Sequence, residues 1–547
     1  MEKENFGKRF IFMILSVTVL ITMMTRGPAL TNNLQLHPDE HVFYLGAGSL
    51  LNAILNPGIA FEEHMEYPEG AYYFHALGQF VGKVISKLLG TEHDLQIWGR
   101  IASVSYFALG VFLGIRIMIR YLGKSRAAVV LYSLTMCFSL FFIEQSRYGT
   151  GDMISFMLLM LLINLTAQAT ESEKPLIWWM ASFFLCGILG AVKYPQLVFA
   201  LIPLTAFLFQ PFLYKRHRMI LFLLMTIAGF FLFSPKAMLD PGYVLRVIQR
   251  EGDAYITSGT THEAGGFLNH LAVMLIYGTM YSDFPLLLPL TIAGFFVVGK
   301  KFVASGNLSG EQRLFRVILP SVCILFFGYN LFVRLLFFRT YTPFFGIITL
   351  YSAEIAAHFY HRKGSCRMVM ALLLLLMILR GTSLSAALSG QMETESRISE
   401  QLEATVDKKW SQTYVTSMFS LYNIPKENEN KPVFISDNLD QLVDNNNGLE
   451  LQPGQLVVTG AYGYHLGQKY IFPTESDADR PMEQWKSFRS INEPHLIGQA
   501  YPEYYYYLFG GWLRGGTLSQ YEFPVNYIYY CKLKIGHPFR GARSFFT

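Results

Sequence analysis

Charged residues are scarce in this sequence. Of its 547 residues only 15% are Asp, Glu, Lys or Arg, whereas 52% are hydrophobic. An ordinary soluble domain carries roughly 25% charged residues, so this composition excludes one. Lys and Arg outnumber Asp and Glu by only 44 to 39, and this small excess gives no reason to expect a nucleic-acid partner. The composition indicates a protein that crosses a membrane several times.

Cysteine is scarce as well, with five residues in the whole chain. Cys531 alone lies beyond residue 385, and the other four lie in or beside apolar runs. Because a disulfide needs two cysteines, none can form within the C-terminal segment, whatever the redox state of its compartment.

Long apolar runs make up most of the sequence before residue 385. A helix needs roughly 20 apolar residues to cross a bilayer, and the runs predict eleven such helices. They cover residues 10–27, 98–121, 127–144, 152–169, 176–192, 197–214, 219–235, 284–299, 316–338, 342–360 and 367–385. Residues 268–282 form either a further span or a helix at the membrane interface. The predicted fold class is a polytopic α-helical membrane protein with about eleven transmembrane helices.

Basic residues in short connections predict the orientation. The N-terminal span has no small-residue cleavage site and is predicted to be an uncleaved anchor. Eleven spans then place a first outer loop (28–97), a second outer loop (236–283) and the C-terminal segment outside the cytoplasm. We expect an integral plasma membrane protein of bacterial origin. The basic clusters that fall on the cytoplasmic side are near residues 3–9, 124–126, 215–218, 300–301 and 361–363.

The C-terminal segment differs in composition from the rest. The long apolar runs end near residue 385, and residues 392–410 have the pattern of a polar helix. Three runs, at 431–438, 454–462 and 526–535, have the pattern of strands between turn signals. The predicted domains are a transmembrane domain over residues 1–385 and an extracytoplasmic α/β domain over residues 386–547.

Ionisable side chains gather where predicted spans meet the outer face. Such a group inside a span costs roughly 2.5–3.5 kcal/mol on insertion scales, so these groups are expected to be paired, to line a cavity or to bind a ligand. Cations hold phosphate and a carboxylate serves as a general base, which suits a reaction between an acidic amphiphile and a neutral hydroxyl. The residues are Asp39 and Glu40 in LHPDEH, Glu144, Arg147, Tyr148 and Asp152 in EQSRYGTGD, Lys193 in VKYPQ, and Arg334 and Arg339 in VRLLFFRTYTP.

The order of these motifs resembles a known family. Asp39-Glu40 after the first span, SRYGTGD before the fourth, Lys193 in the fifth and RTYTP before a late span are similar to motifs of the GT-C superfamily. Within it, the dolichyl-phosphate-mannose protein mannosyltransferases and the bacterial aminoarabinose lipid A transferases are most similar. The resemblance covers residues 1–360. The segment MEYPEGAYYFHALG at 65–78 resembles the YPPLYY segment of the family, but Glu69-Gly70 stands where a second proline and an apolar residue are usual.

The resemblance implies a membrane glycosyltransferase. It would move a hexosyl or pentosyl group from a polyprenyl-phosphate donor to a hydroxyl of a protein, lipid or glycan acceptor, with inversion at the anomeric carbon. By match to the family's motif, Asp39 is the general base, Glu40 assists it, and Asp152 lines the same cleft. The cofactor stays unknown. A divalent metal is left open, with Asp39 and Asp152 as its ligands.

The other matching residues are implied to contact the substrates, within a membrane whose lipids surround the protein. The donor phosphate would be bound by cations, and the substrate cleft would be lined by tyrosines. The phosphate-binding residues are Lys193, Arg339 and Arg147, and the cleft residues are Tyr67 and Tyr148.

Simpler structural interpretations exist for the same residues. Asp39 has the sequence context of a helix cap before Glu40. Arg147 and Asp152 are spaced to form an internal salt bridge at a helix start. The side chains of Lys193 and Arg339 could extend to lipid headgroups.

Two questions stay open at the level of the sequence. His37 and His41 flank the carboxylates of LHPDEH and are either metal ligands or plain polar residues. The whole protein is alternatively a transporter or flippase of a lipid-linked sugar, or a non-enzymatic envelope-assembly protein. A transporter is expected to show mid-membrane charges and internal repeats, whereas the charges here cluster at one membrane face.

Overall fold

The structure is a computed structural model that describes most of the first 406 residues and five strands beyond them. The described ranges are 6–27, 40–56, 69–122, 125–210, 216–240, 242–247, 309–332, 338–361 and 364–406, with a few isolated positions between them. The chain divides into two compact units, with the main boundary after Ser383. The predicted domains, 1–385 and 386–547, stay a prediction.

The larger unit consists of helices and their connections wherever the structure describes it. The first helices are α1 (Lys8–Arg26), α2 (Glu40–Leu55), α3 (Gly70–Leu89), α4 (Leu95–Arg120), α5 (Arg126–Phe138), α6 (Leu140–Arg147), α7 (Asp152–Glu171) and α8 (Pro175–Val192). After a 3₁₀ helix at Tyr194–Ala200 come α9 (Leu201–Leu208), α10 (Arg216–Phe233) and α11 (Pro235–Leu239). The later helices are α12 (Gly310–Leu331), α13 (Thr342–His361) and α14 (Ser365–Val406).

Six of these helices are long and apolar enough to cross a membrane: α1, α4, α7, α8, α12 and the first part of α14, Ser365–Ser383. Helices α5 and α6 would together make a seventh span, bent by 55°. Helix α7 is the most deeply buried of the six and packs against α4 and α8. Helix α1, by contrast, exposes large apolar side chains such as Phe12 and Met24, as expected of a helix that faces lipid.

The predicted number of eleven spans is not confirmed. Ten of the eleven predicted segments coincide with described helices, and residues 284–299 lie outside the described part of the chain. Several of the ten are shorter or broken, because the predicted span at 197–214 begins as a 3₁₀ helix and α9 ends at Leu208. The first outer loop, predicted at 28–97, contains two helices, α2 and α3, which pack against each other.

Short polar residues set where the helices around the first outer loop and the third span begin. Asp94 caps α4, and its Oδ1 accepts hydrogen bonds from the backbone N–H groups of Gln96 (2.8 Å) and Ile97 (3.0 Å). Ser125 caps α5 by accepting from the N–H of Ala128 at 3.2 Å. These caps satisfy N–H groups that have no partner inside a helix, and a cap at Ser139 likewise starts α6.

The break between α5 and α6 falls at Ser139, whose backbone (φ −60°, ψ 124°) is not helical. A break inside a membrane leaves carbonyl groups of the preceding turn without helical partners. Arg26, at the end of α1, supplies the hydrogen-bond donors that these carbonyl groups lack. Its guanidinium donates to the carbonyls of Cys137 (3.0 Å) and Met136 (3.2 Å) and, beyond the break, to Ser146 Oγ (2.6 Å). Arg26 thereby ties the two halves of the bent helix together.

The second unit contains a five-stranded sheet and was expected to be an extracytoplasmic α/β domain. The strands are β1 (Thr413–Thr416), β2 (Val433–Ser436), β3 (Leu456–Gly460), β4 (His495–Gln499) and β5 (Tyr527–Lys532), in the order β2-β1-β3-β5-β4. Strand β1 is parallel to β2 and β3, and β5 is antiparallel to β3 and β4. Strands β2, β3 and β5 lie within the three predicted runs, whereas β1 and β4 were not predicted. The α/β domain as a whole and its side of the membrane stay predictions.

Replacing Arg26 tests the role of this residue at the break. Arg26→Met should lower the apparent unfolding temperature of the purified protein in detergent, because each buried acceptor left unsatisfied costs about 1–3 kcal/mol. Arg26→Lys, with one ammonium group in place of the guanidinium fork, should give an intermediate loss. Arg9 lies exposed on the same helix, so Arg9→Met is the matched control. Equal unfolding temperatures for Arg26→Met and Arg9→Met would contradict the account.

Candidate functional site

Residues 148–151 form the turn between α6 and α7, and the predicted site residues lie around it. All eight residues of α6 are buried, so the turn is fixed by packing on its N-terminal side. Three ion pairs surround it: Glu40 with Arg100, Glu144 with Arg147, and Asp152 with Lys193. Buried charges are tolerated only when they are paired and hydrogen-bonded.

The first pair links the first outer loop to the turn. Glu40, the first residue of α2, and Arg100, on α4, have fully buried side chains. The guanidinium binds both carboxylate oxygens, with Nε at 3.1 Å from Oε1 and Nη2 at 2.9 Å from Oε2. The backbone N–H of Gly149 donates to the same Oε1 at 2.9 Å. Glu40 therefore holds the turn as well as α4.

The second pair lies within α6. Glu144 Oε1 is 2.5 Å from a guanidinium nitrogen of Arg147, one helical turn later. The hydroxyl of Tyr148 donates to the same Glu144 oxygen and accepts from Arg147 at 3.3 Å. All three side chains are almost completely buried, so this group fixes the start of the turn.

The third pair is the most accessible. Asp152 is the first residue of α7, and its Oδ1 accepts from the Lys193 ammonium at 2.7 Å, while its Oδ2 accepts from Thr150 Oγ1 at 2.9 Å. The Asp152 side chain is 4% exposed and that of Lys193 is 22% exposed. Arg339, which is half-buried, also acts electrostatically on Asp152. Asp152, at the start of α7, is thus in contact with Lys193 at the end of α8, and is acted on electrostatically by a second cation, Arg339 in the segment before α13.

Helix α3 supports the turn from the other side. His75 is fully buried, and its Nε2 lies 3.2 Å from the carbonyl oxygen of Thr150. Because a carbonyl only accepts, Nε2 carries the proton, and Nδ1 has no partner among the described residues. Burial lowers the pKa of His75 to about 4, although the bond to Thr150 and the charge of Glu40 oppose this shift. The imidazole is therefore neutral at physiological pH.

The Glu69-Gly70 pair, which departs from the family's pattern, makes structural contacts. A Cβ atom at Gly70 would lie 2.6 Å from the carbonyl of Ala191, so only glycine allows α3 to start against the end of α8, two residues before Lys193. Glu69 Oε2 accepts from Ser234 Oγ at 3.2 Å and from the N–H of Lys236 at 3.0 Å. Burial raises the pKa of Glu69. This pair fastens the first outer loop to the ends of α8 and α10.

The structure brings most of the described site residues together and changes one pairing. Arg147 pairs with Glu144 and Asp152 with Lys193, instead of Arg147 with Asp152. Lys193 reaches Asp152 and does not simply extend to the headgroups. Helix α2 does begin at Glu40. Asp39, Tyr67 and His37 lie outside the described residues, as does the side chain of His41, so their predicted roles stay predictions.

Three residues of the site were not predicted: Arg100, Thr150 and His75. Arg100 lies near the start of an apolar span, LQIWGRIASV, and an ionisable residue in such a place is itself a signal of a buried partner. Thr150 stands in the quoted SRYGTGD motif but has no charge. His75 gives no signal, because a single histidine on an apolar helix is compatible with many environments.

The described residues do not fit a divalent cation as they are arranged. No group of three or more His, Cys, Asp or Glu side chains comes together within the described ranges. Both oxygens of Asp152 already bind Thr150 and Lys193. Two unit charges about 4 Å apart repel by about 4 kcal/mol at an effective dielectric of 20, and a cation on Asp152 would meet the Lys193 ammonium. The predicted metal ligands, Asp39 and Asp152, therefore stay a prediction.

Comparison with known proteins bears on the fold. No protein-family model and no curated protein matches the sequence. Among solved structures, ArnT from Cupriavidus metallidurans bound to undecaprenyl phosphate superposes with a TM-score of 0.51, at 12% identity, over 90% of this chain and 97% of that one. ArnT belongs to the GT-C superfamily. This chain shares the overall fold of that ArnT structure.

Two further solved structures are similar to this chain, with lower TM-scores. ArnT from the same organism in the apo state gives a TM-score of 0.49 at 12% identity, covering 89% of this chain and 96% of that one. The archaeal oligosaccharyltransferase AglB from Archaeoglobus fulgidus, in complex with an inhibitory peptide and a dolichol-phosphate, gives 0.48 at 11% identity, covering 97% and 89%. The fold shared with ArnT and the six long apolar helices both support a helical integral membrane protein.

The low pKa of His75 predicts a pH dependence of stability. An unfolded histidine titrates near pH 6.5 and the folded His75 near pH 4, so the unfolded state binds more protons between these values. Stability should therefore fall as the pH decreases from about 6.5 to about 4. His75→Gln, measured by unfolding temperature against pH, should flatten this slope. His358→Gln, at an exposed position, should retain it, and an unchanged slope in His75→Gln would contradict the assignment.

Proposed function

We propose that this protein is a membrane glycosyltransferase that moves a hexosyl or pentosyl group from a polyprenyl-phosphate donor to an acceptor hydroxyl on the extracytoplasmic face. The observation that carries the proposal is the third ion pair: a buried carboxylate, Asp152, facing two accessible cations at the ends of transmembrane helices of a GT-C fold. That arrangement suits an anionic lipid headgroup that enters from the bilayer.

The exposure of the cations assigns their roles. The side chains of Arg100 and Arg147 are 0% and 1% exposed, whereas that of Lys193 is 22% exposed. Their burial supports a positioning role at the turn for Arg100 and Arg147, whereas donor binding by Arg147, which the motif implies, stays a prediction. Lys193, with the half-buried Arg339, binds the phosphate, where a point charge and a planar fork act together.

The carboxylates also have two kinds of role, positioning for Glu40 and proton transfer for Asp39. Both oxygens of Glu40 bind Arg100, and Oε1 also accepts from Gly149, so Glu40 fixes the start of α2, next in sequence to Asp39. Asp39 is the proposed general base and takes the proton of the acceptor hydroxyl. The acceptor oxygen then forms a bond to the anomeric carbon while the bond from that carbon to the phosphate oxygen breaks. A single in-line displacement of this kind inverts the anomeric configuration.

The charge that builds on the leaving phosphate explains why two cations are needed. The donor is a phosphodiester with one negative charge, and the polyprenyl phosphate that leaves gains a second. Lys193 and Arg339 stabilise that additional charge, and fixed cations of this kind act most strongly in a site that excludes water. The acceptor is a protein, lipid or glycan hydroxyl. ArnT with undecaprenyl phosphate and AglB with dolichol-phosphate and a peptide support this class of donor.

Conversion of a radiolabelled polyprenyl-phosphate sugar by the purified protein tests the proposal. Asp39→Asn should lower turnover by about 10²-fold or more, because a positioned general base contributes typically 10²–10⁴-fold. Asp240, an exposed carboxylate paired with Arg246, provides the matched control, and Asp240→Asn should keep full turnover. Transfer of the label by Asp39→Asn at the wild-type rate would show that Asp39 is not the general base. Movement of the intact donor across vesicle membranes without any transfer would favour a flippase.

A further inference from the structure

Among the described charges around the turn, four cations face three carboxylates. Arg100 and Arg147 each have their own carboxylate in contact. Lys193 and Arg339 both act on Asp152. Of these two cations, Lys193 is in contact with Asp152, at 2.7 Å, and its side chain is 22% exposed, so it is the cation of this group that an anionic headgroup can reach.

We infer that Lys193 is exchanged between Asp152 and the donor phosphate, so that donor binding releases the Asp152 carboxylate for the acceptor. The inference rests on the proposed function, because it takes a polyprenyl phosphate as the ligand. It adds an order of events: the donor binds first, and only then does Asp152 become available. Asp152 acts here on the acceptor hydroxyl as a hydrogen-bond acceptor beside Asp39.

The two partners of the ion pair differ in how firmly they are held. Asp152 is 3% exposed, and its Oδ2 stays bound to Thr150 Oγ1 at 2.9 Å. The carbonyl of Thr150 is in turn held by the buried His75. The carboxylate is thus fixed through a contact that does not involve Lys193.

Lys193 is anchored by its backbone, and its side chain is the mobile partner. Its N–H donates to Leu189 O at 3.0 Å, and its carbonyl accepts from the N–H of Gln196 at 2.9 Å. The side chain is 22% exposed and consists of a flexible four-carbon stem with one point charge. It can leave Oδ1 without moving the end of α8.

Asp152 can stay ionised after the lysine has left. It is the first residue of α7, a 20-residue helix, and the N-terminus of a helix carries a partial positive charge that favours a carboxylate. The positive charge of Arg339 also acts on this carboxylate. The exchange therefore replaces one partner of a buried charge without leaving that charge alone.

Binding of undecaprenyl phosphate to the full-length protein in detergent, measured by thermophoresis, tests the exchange. The wild type should bind, and Lys193→Met should bind several-fold more weakly. Asp152→Asn should bind several-fold more tightly, because the lysine no longer has to leave a carboxylate. In the double variant the gain should be several-fold smaller than in the single variant, because no lysine remains to be released and only the general effect of the lost negative charge is left.

The double variant separates the exchange from simple electrostatics. Removal of any negative charge near the site strengthens the binding of an anion, but that effect would persist without Lys193. A gain from Asp152→Asn that is equally large in the Lys193→Met background would overturn the inference, as would no gain at all. Asp152→Ser provides a second neutral variant in case Asp152→Asn does not fold.

Two control variants and a control lipid are measured in the same binding assay. Lys174→Met, at the exposed start of α8, and Asp240→Asn should bind as the wild type does. Undecaprenol, which lacks the phosphate, should be insensitive to both site substitutions. If the wild type does not bind undecaprenyl phosphate, the proposed function fails together with the inference. If it binds and the cycle is additive, only the inference fails.

Discussion

A buried carboxylate needs a cation or several hydrogen-bond donors in contact with it, and this requirement organises the surroundings of the turn at 148–151. One ion pair joins α2 to α4, a second joins two residues one helical turn apart in α6, and a third joins the start of α7 to the end of α8. Removal of one partner from a buried pair costs about 3–5 kcal/mol. The pairs therefore fix the turn at 148–151 from three directions. The proposed transfer uses the one pair whose cation is accessible.

The bent third span is what brings this turn into position. The helix breaks at Ser139, which caps α6. Helix α6 then runs through buried surroundings to the start of the turn. Arg26 holds the break, and Ser146, which it binds, stands next to Arg147. A polar residue at the end of the first span thus acts on the site through the backbone of the third.

The sequence predicted the parts of the site and not their partners. The charged residues of EQSRYGTGD and VKYPQ stand out because ionisable groups are costly next to apolar spans. Spacing allows Arg147 to pair with Glu144, at i,i+3 on one helix, or with Asp152, and the packing of the helices decides for Glu144. The bend at Ser139 lies in an unbroken apolar run, and short spans such as α9 are equally hidden. Because the sequence does not reveal these features, it predicted about eleven spans, and the structure does not confirm this number. Gly70 shows the same limit, because its closeness to α8 is a tertiary contact.

The central claim is that Lys193 and Arg339 bind the phosphate of a lipid-linked donor beside Asp152. A cryo-electron microscopy structure of the protein with undecaprenyl phosphate tests it most directly. We expect the phosphate within hydrogen-bonding distance of Lys193 and Arg339, with the lysine displaced from Asp152. A phosphate bound elsewhere, with Lys193 still on Asp152 Oδ1 as it is here at 2.7 Å, would contradict it.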